Sequence, residues 1–162
     1  QEDLGRMYAN ADRYDRPFAL ALGDVDDFRR YNRELGYVGG DRAIRRVADL
    51  IRASLRQGDT VYRFGGDEFV LVMQADDVEE AVAAMQRLRE AVEIGSHTPQ
   101  EQGERGPITL SIGVASVSPG EARSVPALIQ RADEQLRIAK AAGGNCVFPR
   151  VKTVDGDSAR SA

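Results

Sequence analysis

At 162 residues the chain suits one domain, large enough for a core without disulfide or metal staples. With 42% hydrophobic and 30% charged residues it reads as a soluble globular protein, and a net charge of −4 gives no basic footprint for DNA or RNA. One cysteine, Cys146, excludes an intramolecular disulfide and suits the reducing cytoplasm; the one histidine, His97, sits in a polar stretch, which argues against zinc; and no apolar run reaches the roughly 20 residues of a membrane span.

Leu4, Met7, Tyr8 and Ala11 fall at helical spacing, so a helix is expected over residues 2–14, ended by Pro17. The chain opens abruptly inside this helix, and an amino-terminally truncated domain is the expectation. Phe18 to Gly23 is an almost wholly apolar run, as in a central strand buried on both faces. It runs into Asp24-Val25-Asp26-Asp27, three acids in four residues. Like charges so crowded are best tolerated where a hard cation takes oxygen ligands, although Asp26 or Asp27 could equally cap the helix that follows.

Phe28 to Leu35 reads as a short helix stopped at Gly36, with Gly39-Gly40 as a loop and Asp41 at the start of a second helix, where it could serve as N-cap or dipole partner or have another role. Ile44, Val47, Ala48, Ile51 and Leu55 form one stripe of that helix. Thr60–Phe64 and Phe69–Met73 then predict a hairpin whose tip is Gly65-Gly66, since glycine adopts positive φ freely. Directly after the tip stand Asp67 and Glu68, which no turn geometry requires. On a strand, neighbours point to opposite faces, so one acid could face a ligand while the other does not.

Asp76 or Asp77 is expected to cap a helix reaching about Val92, with Val78, Ala81, Val82, Met85, Leu88 and Val92 inward. A polar loop over 93–106 leads to a period-two strand, Ile108 to Ala115. After a Pro/Gly loop over 116–124, Ser124 caps a helix with Leu128, Ile129, Ala132, Leu136 and Ala139 inward, stopped at Gly143-Gly144. Cys146–Phe148 is a last short strand, and residues 150–162 read as a disordered tail. The predicted fold class is α+β: a central five-stranded, mostly antiparallel sheet flanked by helices.

By itself Gly-Gly-Asp-Glu is compatible with a solvated turn. The longer string Arg63-Phe64-Gly65-Gly66-Asp67-Glu68-Phe69 resembles the signature of the GGDEF domain of bacterial diguanylate cyclases, which has a nucleotidyl cyclase and polymerase-palm-like fold. The resemblance extends over residues 4–149 through Asp24-Val25-Asp26, Phe28-Arg29 with Asn32, Gly36 to Asp41, Thr109 to Val114, Ala132-Asp133, Leu136, Ala139-Lys140, Gly143 and Asn145. A GGDEF domain over residues 1–149 is therefore expected, without the family's amino-terminal Leu-Thr-Gly-Leu segment.

The resemblance implies an Mg2+-dependent enzyme, with Mn2+ as a possible substitute, that condenses two GTP into cyclic di-GMP with release of pyrophosphate. Asp24, the Val25 carbonyl and Asp67 would hold the metal, and Asp67 with Glu68 would help remove the 3′-hydroxyl proton. Gly65 and Gly66 would let the phosphates approach. Asn32 and Asp41 would read guanine, Phe28 and Tyr37 would border its pocket, and Arg29 and Lys140 would neutralise the terminal phosphates. Two bonds between two nucleotides call for a homodimer, and an upstream sensory domain is expected in the full-length protein. Arg56 and Asp59 have the spacing of the family's inhibitory product site, while Asp59 could simply shape a turn.

Three departures stand out: Arg33 where the family commonly has Asp, Tyr37 in place of His, and Gly144 in place of an Arg, for which weaker substrate affinity is expected. A catalytically silent receptor for GTP or cyclic di-GMP is the alternative to an active cyclase. The intact acids favour the cyclase, and Asp41 disfavours a different cyclic nucleotide.

Overall fold

In the computed structural model, residues 17–96, 106–117 and 125–151 are described. The helix expected over 2–14, His97, the Ser124 cap and the tail beyond 151 lie outside the described residues, as does most of each of the two loops expected over 93–106 and 116–124.

The strands are β1 (Phe18–Val25), β2 (Thr60–Arg63), β3 (Glu68–Gln74), β4 (Leu110–Val117) and β5 (Val147–Phe148). The helices are α1 (Phe28–Ser54), α2 (Val78–Gly95) and α3 (Val125–Ala141). The sheet order is β2-β3-β1-β4-β5. β1 lies antiparallel between β3 and β4, and only the β4–β5 pairing is parallel. The predicted sheet is thus borne out, with β1 at its centre.

Alternation along β1 divides the core in two. Ala19, Ala21 and Val25 face α1 and α2, where they meet Ile44, Val47, Ile51, Met85 and Leu88. Phe18, Leu20 and Leu22 face α3 and pack with Val70, Val72, Ala115, Leu128 and Ala132. By the same period of two, Asp24 belongs to the α3 face. β4 is buried on both faces apart from Ser116, so its small residues are packing residues rather than a solvated side. A Cβ on Gly113 would lie 2.8 Å from the Leu136 Cα, and only glycine lets α3 sit this close.

The expected break at Gly36 is present, at φ 70°, as a kink within α1. The loop expected at Gly39-Gly40 is not: both glycines are helical and buried, and Asp41 lies inside the resumed helix rather than capping it. Leu35 and Asn32 press against these glycines where any Cβ would collide with them, which folds the segment before the kink onto the segment after it. The α2 cap is Asp77, whose carboxylate accepts from the Glu80 N–H at 2.7 Å.

Candidate active site

The acids converge at one corner of the sheet. Asp24, near the end of β1, stands directly opposite Glu68, the first residue of β3, and the next backbone link is Val25 N–H donating to the Asp67 carbonyl at 3.1 Å. Like charges directly opposite each other in a ladder destabilise it, so this corner demands a cation. Lys140, from the last turn of α3, supplies one: its Nζ lies 2.8 Å from Asp24 Oδ1. Asp24 is 7% exposed. Its burial pushes the carboxyl above the usual carboxylate range, Lys140 draws it back, and Asp67 and Glu68 push it up again. Both hairpin acids thus lie near enough to Asp24 for their charges to act on it.

The hairpin tip also differs from expectation. Neither Gly65 nor Gly66 has positive φ. The turn spans residues 64–67 and closes through Phe64 N–H to the Glu68 carbonyl at 2.9 Å, so Asp67 sits in the turn and only Glu68 begins the strand. Arg63 folds under the tip and donates to the Gly65 carbonyl (3.2 Å) and to the Gly66 carbonyl (2.6 and 3.1 Å). With those carbonyls engaged on one side and nothing within 4 Å of a Cβ at Gly66, backbone here is open to an approaching anion.

α1 brings a second group together. Phe28 is its first residue and packs against the core, Arg29 in the same turn is exposed, and Asn32 and Phe28 both border Gly40. Asp41 follows Gly40 and is exposed, while Tyr37, just past the kink, is 86% exposed. The kink thus sets Phe28 and Asn32 beside the turn that carries Asp41.

Arg56 and Asp59 lie apart from this corner, in the connection between α1 and β2. Asp59 Oδ2 accepts from the Arg56 N–H at 3.1 Å, so Asp59 does shape the turn. The Arg56 guanidinium reaches Glu80 at 3.4 Å with both side chains largely in water. A shallow depression of about 470 Å³ is lined by both residues together with Gln57, Gln74, Asp76 and Glu80.

Asp26 and Asp27 are neither of them side-chain caps. Asp27 stands before α1 at φ 53° and caps with its backbone carbonyl only, accepting from Arg30 at 2.8 Å and Tyr31 at 3.1 Å. Asp26, half-buried, accepts instead from Ser111, Thr109 and the Asn145 N–H. No sequence pattern pairs residues more than eighty positions apart, so this grouping is seen only in the fold. Gly144 is at φ +76°, and a Cβ there would stand 3.0 Å from Asp26 Oδ1. An arginine at 144 is therefore strained in this backbone, whatever its charge would offer a phosphate.

Among the described residues no helix is long and apolar enough to cross a membrane. The family model for "Diguanylate cyclase, GGDEF domain" matches residues 1–146. Diguanylate cyclase DgcP of Pseudomonas aeruginosa is 36% identical over 142 residues, covering 88% of this chain and 21% of that protein. Response regulator PleD of Caulobacter vibrioides is 35% identical over 131 residues, covering 81% and 29%. The chain thus spans less than a third of the length of these relatives. Among solved structures, the GGDEF domain of DgcB from Caulobacter crescentus, in complex with c-di-GMP, superposes with a TM-score of 0.80 at 29% identity, covering 90% of this chain and 85% of that one. The active GGEEF domain of a Vibrio cholerae diguanylate cyclase does so with 0.79 at 26% identity, covering 93% and 94%. Its sequence and its palm-like fold together place the chain in the diguanylate cyclase GGDEF domain family.

Proposed function

We propose that this domain is the catalytic unit of a diguanylate cyclase, which joins two GTP into cyclic di-GMP and releases pyrophosphate. The observation that carries the reading is the corner itself: Asp24 opposite Glu68, Asp67 tied to Val25, and Lys140 above them.

The donors fit Mg2+ or Mn2+. All are oxygens, and burial, with Asp67 and Glu68 nearby, holds the Asp24 carboxyl above the usual carboxylate range despite Lys140, so a divalent cation there would relieve it. Among the described residues no group of three or more His, Cys, Asp or Glu side chains encloses a metal site. Mg2+ is usually held by one or two carboxylates plus substrate phosphates rather than by a protein cage. Asp24, the Val25 carbonyl and Asp67 would hold it, and when bound it polarises the α-phosphate and lowers the pKa of the attacking 3′-hydroxyl.

The chain's own residues do the rest. Asp67, with Glu68 beside it, assists removal of the single proton of the attacking hydroxyl. Gly65 and Gly66, their carbonyls held by Arg63, let the phosphates approach the backbone, most openly at Gly66, where a Cβ would meet nothing within 4 Å, while the Glu68 carboxylate stands beside Gly65. Asn32 and the Asp41 carboxylate pair with the guanine edge, where a carboxylate accepts from N1–H and the exocyclic amine, a donor pattern adenine lacks. Phe28 and Tyr37 border that pocket. Arg29 and Lys140 meet the terminal phosphates, Lys140 leaving Asp24 to do so. Each site activates one GTP, so two domains work face to face as a homodimer, served by sensory segments of a longer cytoplasmic protein.

Incubation with GTP and Mg2+ followed by product identification tests the reading, with Asp67→Ala as control. Cyclic di-GMP from the parent and none from the variant is expected. Failure of the parent to form any linear or cyclic dinucleotide at high protein concentration would turn the assignment to a silent GTP or cyclic di-GMP receptor.

A further inference from the structure

Asp26 has no part in the chemistry above, yet both of its oxygens are engaged. Oδ1 accepts from Ser111 Oγ at 2.6 Å, and Oδ2 accepts from Thr109 Oγ1 and from the Asn145 N–H, each at 2.8 Å. Its own N–H donates to the Thr109 carbonyl at 2.9 Å. Ser111 is wholly buried. The grip continues outward from Asn145, a non-glycine residue at φ 49°. Its Oδ1 accepts from Arg89 at 2.7 Å, its Nδ2 donates to Glu93 at 3.0 Å, and Arg89 closes on Glu93 at 2.6 Å. The end of β1, β4, the α3–β5 turn and α2 are thereby joined through one carboxylate and one amide.

Two rungs therefore connect the same two segments. Asp24 is bound to Lys140, and two residues later Asp26 is bound to the turn that follows Lys140, both at 2.8 Å. The first rung must open if Lys140 is to reach a phosphate. The second involves no group that the substrate needs.

We propose that Asp26 is a positioning residue that keeps the end of α3 in register with β1, so that Lys140 meets the triphosphate when it releases Asp24. This rests on the reading of the domain as a GTP-using cyclase in which Lys140 binds phosphate. Losing Asp26 weakens nucleotide capture through Lys140 and leaves the metal-side acids in place. Asparagine in its stead preserves the grip: its Oδ1 accepts from Thr109 and Asn145, and its Nδ2 faces Ser111, whose hydroxyl rotates to accept.

The test measures affinity for a GTP analogue with a methylene bridge between the α and β phosphorus atoms, with Mg2+, by calorimetry. Turnover of GTP is followed in parallel. Asp26→Ala should weaken binding about tenfold, Asp26→Asn should stay within about twofold, and Asp26→Ala should add nothing once Lys140→Ala is present. If Asp26→Ala does not fold, Ser111→Ala removes the Oδ1 anchor and should weaken binding in the same Lys140-dependent way. Unchanged affinity in the folded variant, or losses that multiply independently of Lys140→Ala, would overturn the inference. A parent that binds the analogue but forms no dinucleotide would sink the cyclase reading while leaving the affinity comparison decisive.

Discussion

Two glycines separate what the fold needs from what the chemistry needs. At Gly113 on β4 a methyl group would stand 2.8 Å from the Leu136 Cα, and nearer still to the Ala132 carbonyl and the Leu136 N–H, all of them backbone atoms of α3. Backbone cannot rotate aside as a side chain can. To restore 3.4 Å at the Leu136 Cα alone, the helix must retreat by roughly 0.6 Å, loosening Leu128 and Ala132 from the sheet. Overpacking of this kind costs about 2–3 kcal/mol, which for a domain of this size lowers Tm by roughly 5–10 °C. The same displacement carries Lys140 away from Asp24. At Gly66, by contrast, a Cβ meets nothing within 4 Å. Gly66→Ala should keep Tm within about 2 °C while cyclase turnover falls by at least about tenfold, because the methyl occupies the proposed phosphate approach. Calorimetric melting and dinucleotide synthesis, measured on both variants, provide the check. A Gly113→Ala protein as stable as the parent, or a Gly66→Ala protein with undiminished turnover, would refute the reasoning for that position.

Glu93 is held below the usual carboxylate range by its hydrogen bond from Arg89, helped by Asn145 and by the Arg89 charge. A lowered carboxyl contributes stability that is present above the ordinary carboxylate range and lost as pH falls through the folded-state value. Glu93→Gln should therefore show a smaller loss of urea midpoint on acidification than the parent; an identical loss would remove Glu93 from the acid response. Gly144→Arg should lower Tm because of the positive φ and the nearby Asp26, so any gain in GTP affinity would come with reduced stability; an arginine variant that melts no earlier would contradict the strain. Arg56→Ala should weaken cyclic di-GMP binding measured by calorimetry about tenfold or more, and unaltered binding would exclude this residue from a product site.

The sheet was legible because its strands are short apolar runs punctuated by glycine, proline or acids, and the inward stripes of α1, α2 and α3 followed from a period of 3.6. Where local signals misled, tertiary contact was the reason. Gly39-Gly40 reads as a loop, but these glycines are helical because Leu35 and Asn32 fold back onto them across the kink at Gly36. Gly65-Gly66 suggests positive φ, yet Arg63 holds their carbonyls and the turn closes over four residues. The acids of the corner were readable as a cluster that invites a cation. Their opposition across β1 and β3 was not, since register is decided by pairing rather than by either strand alone. Asp26 was open to reading as a cap or a cation donor because Thr109, Ser111 and Asn145 reach it only once the chain is folded.

Central to the account is that acids from the ends of β1 and the hairpin share one divalent cation with the nucleotide. Crystals grown with Mn2+ and the methylene-bridged GTP analogue, examined by anomalous scattering, test this directly. The account predicts a manganese peak within about 2.0–2.3 Å of oxygens from both Asp24 and Asp67, with Lys140 turned from Asp24 to the phosphates. Manganese bound to the nucleotide alone, with Asp24 still paired to Lys140, would contradict it.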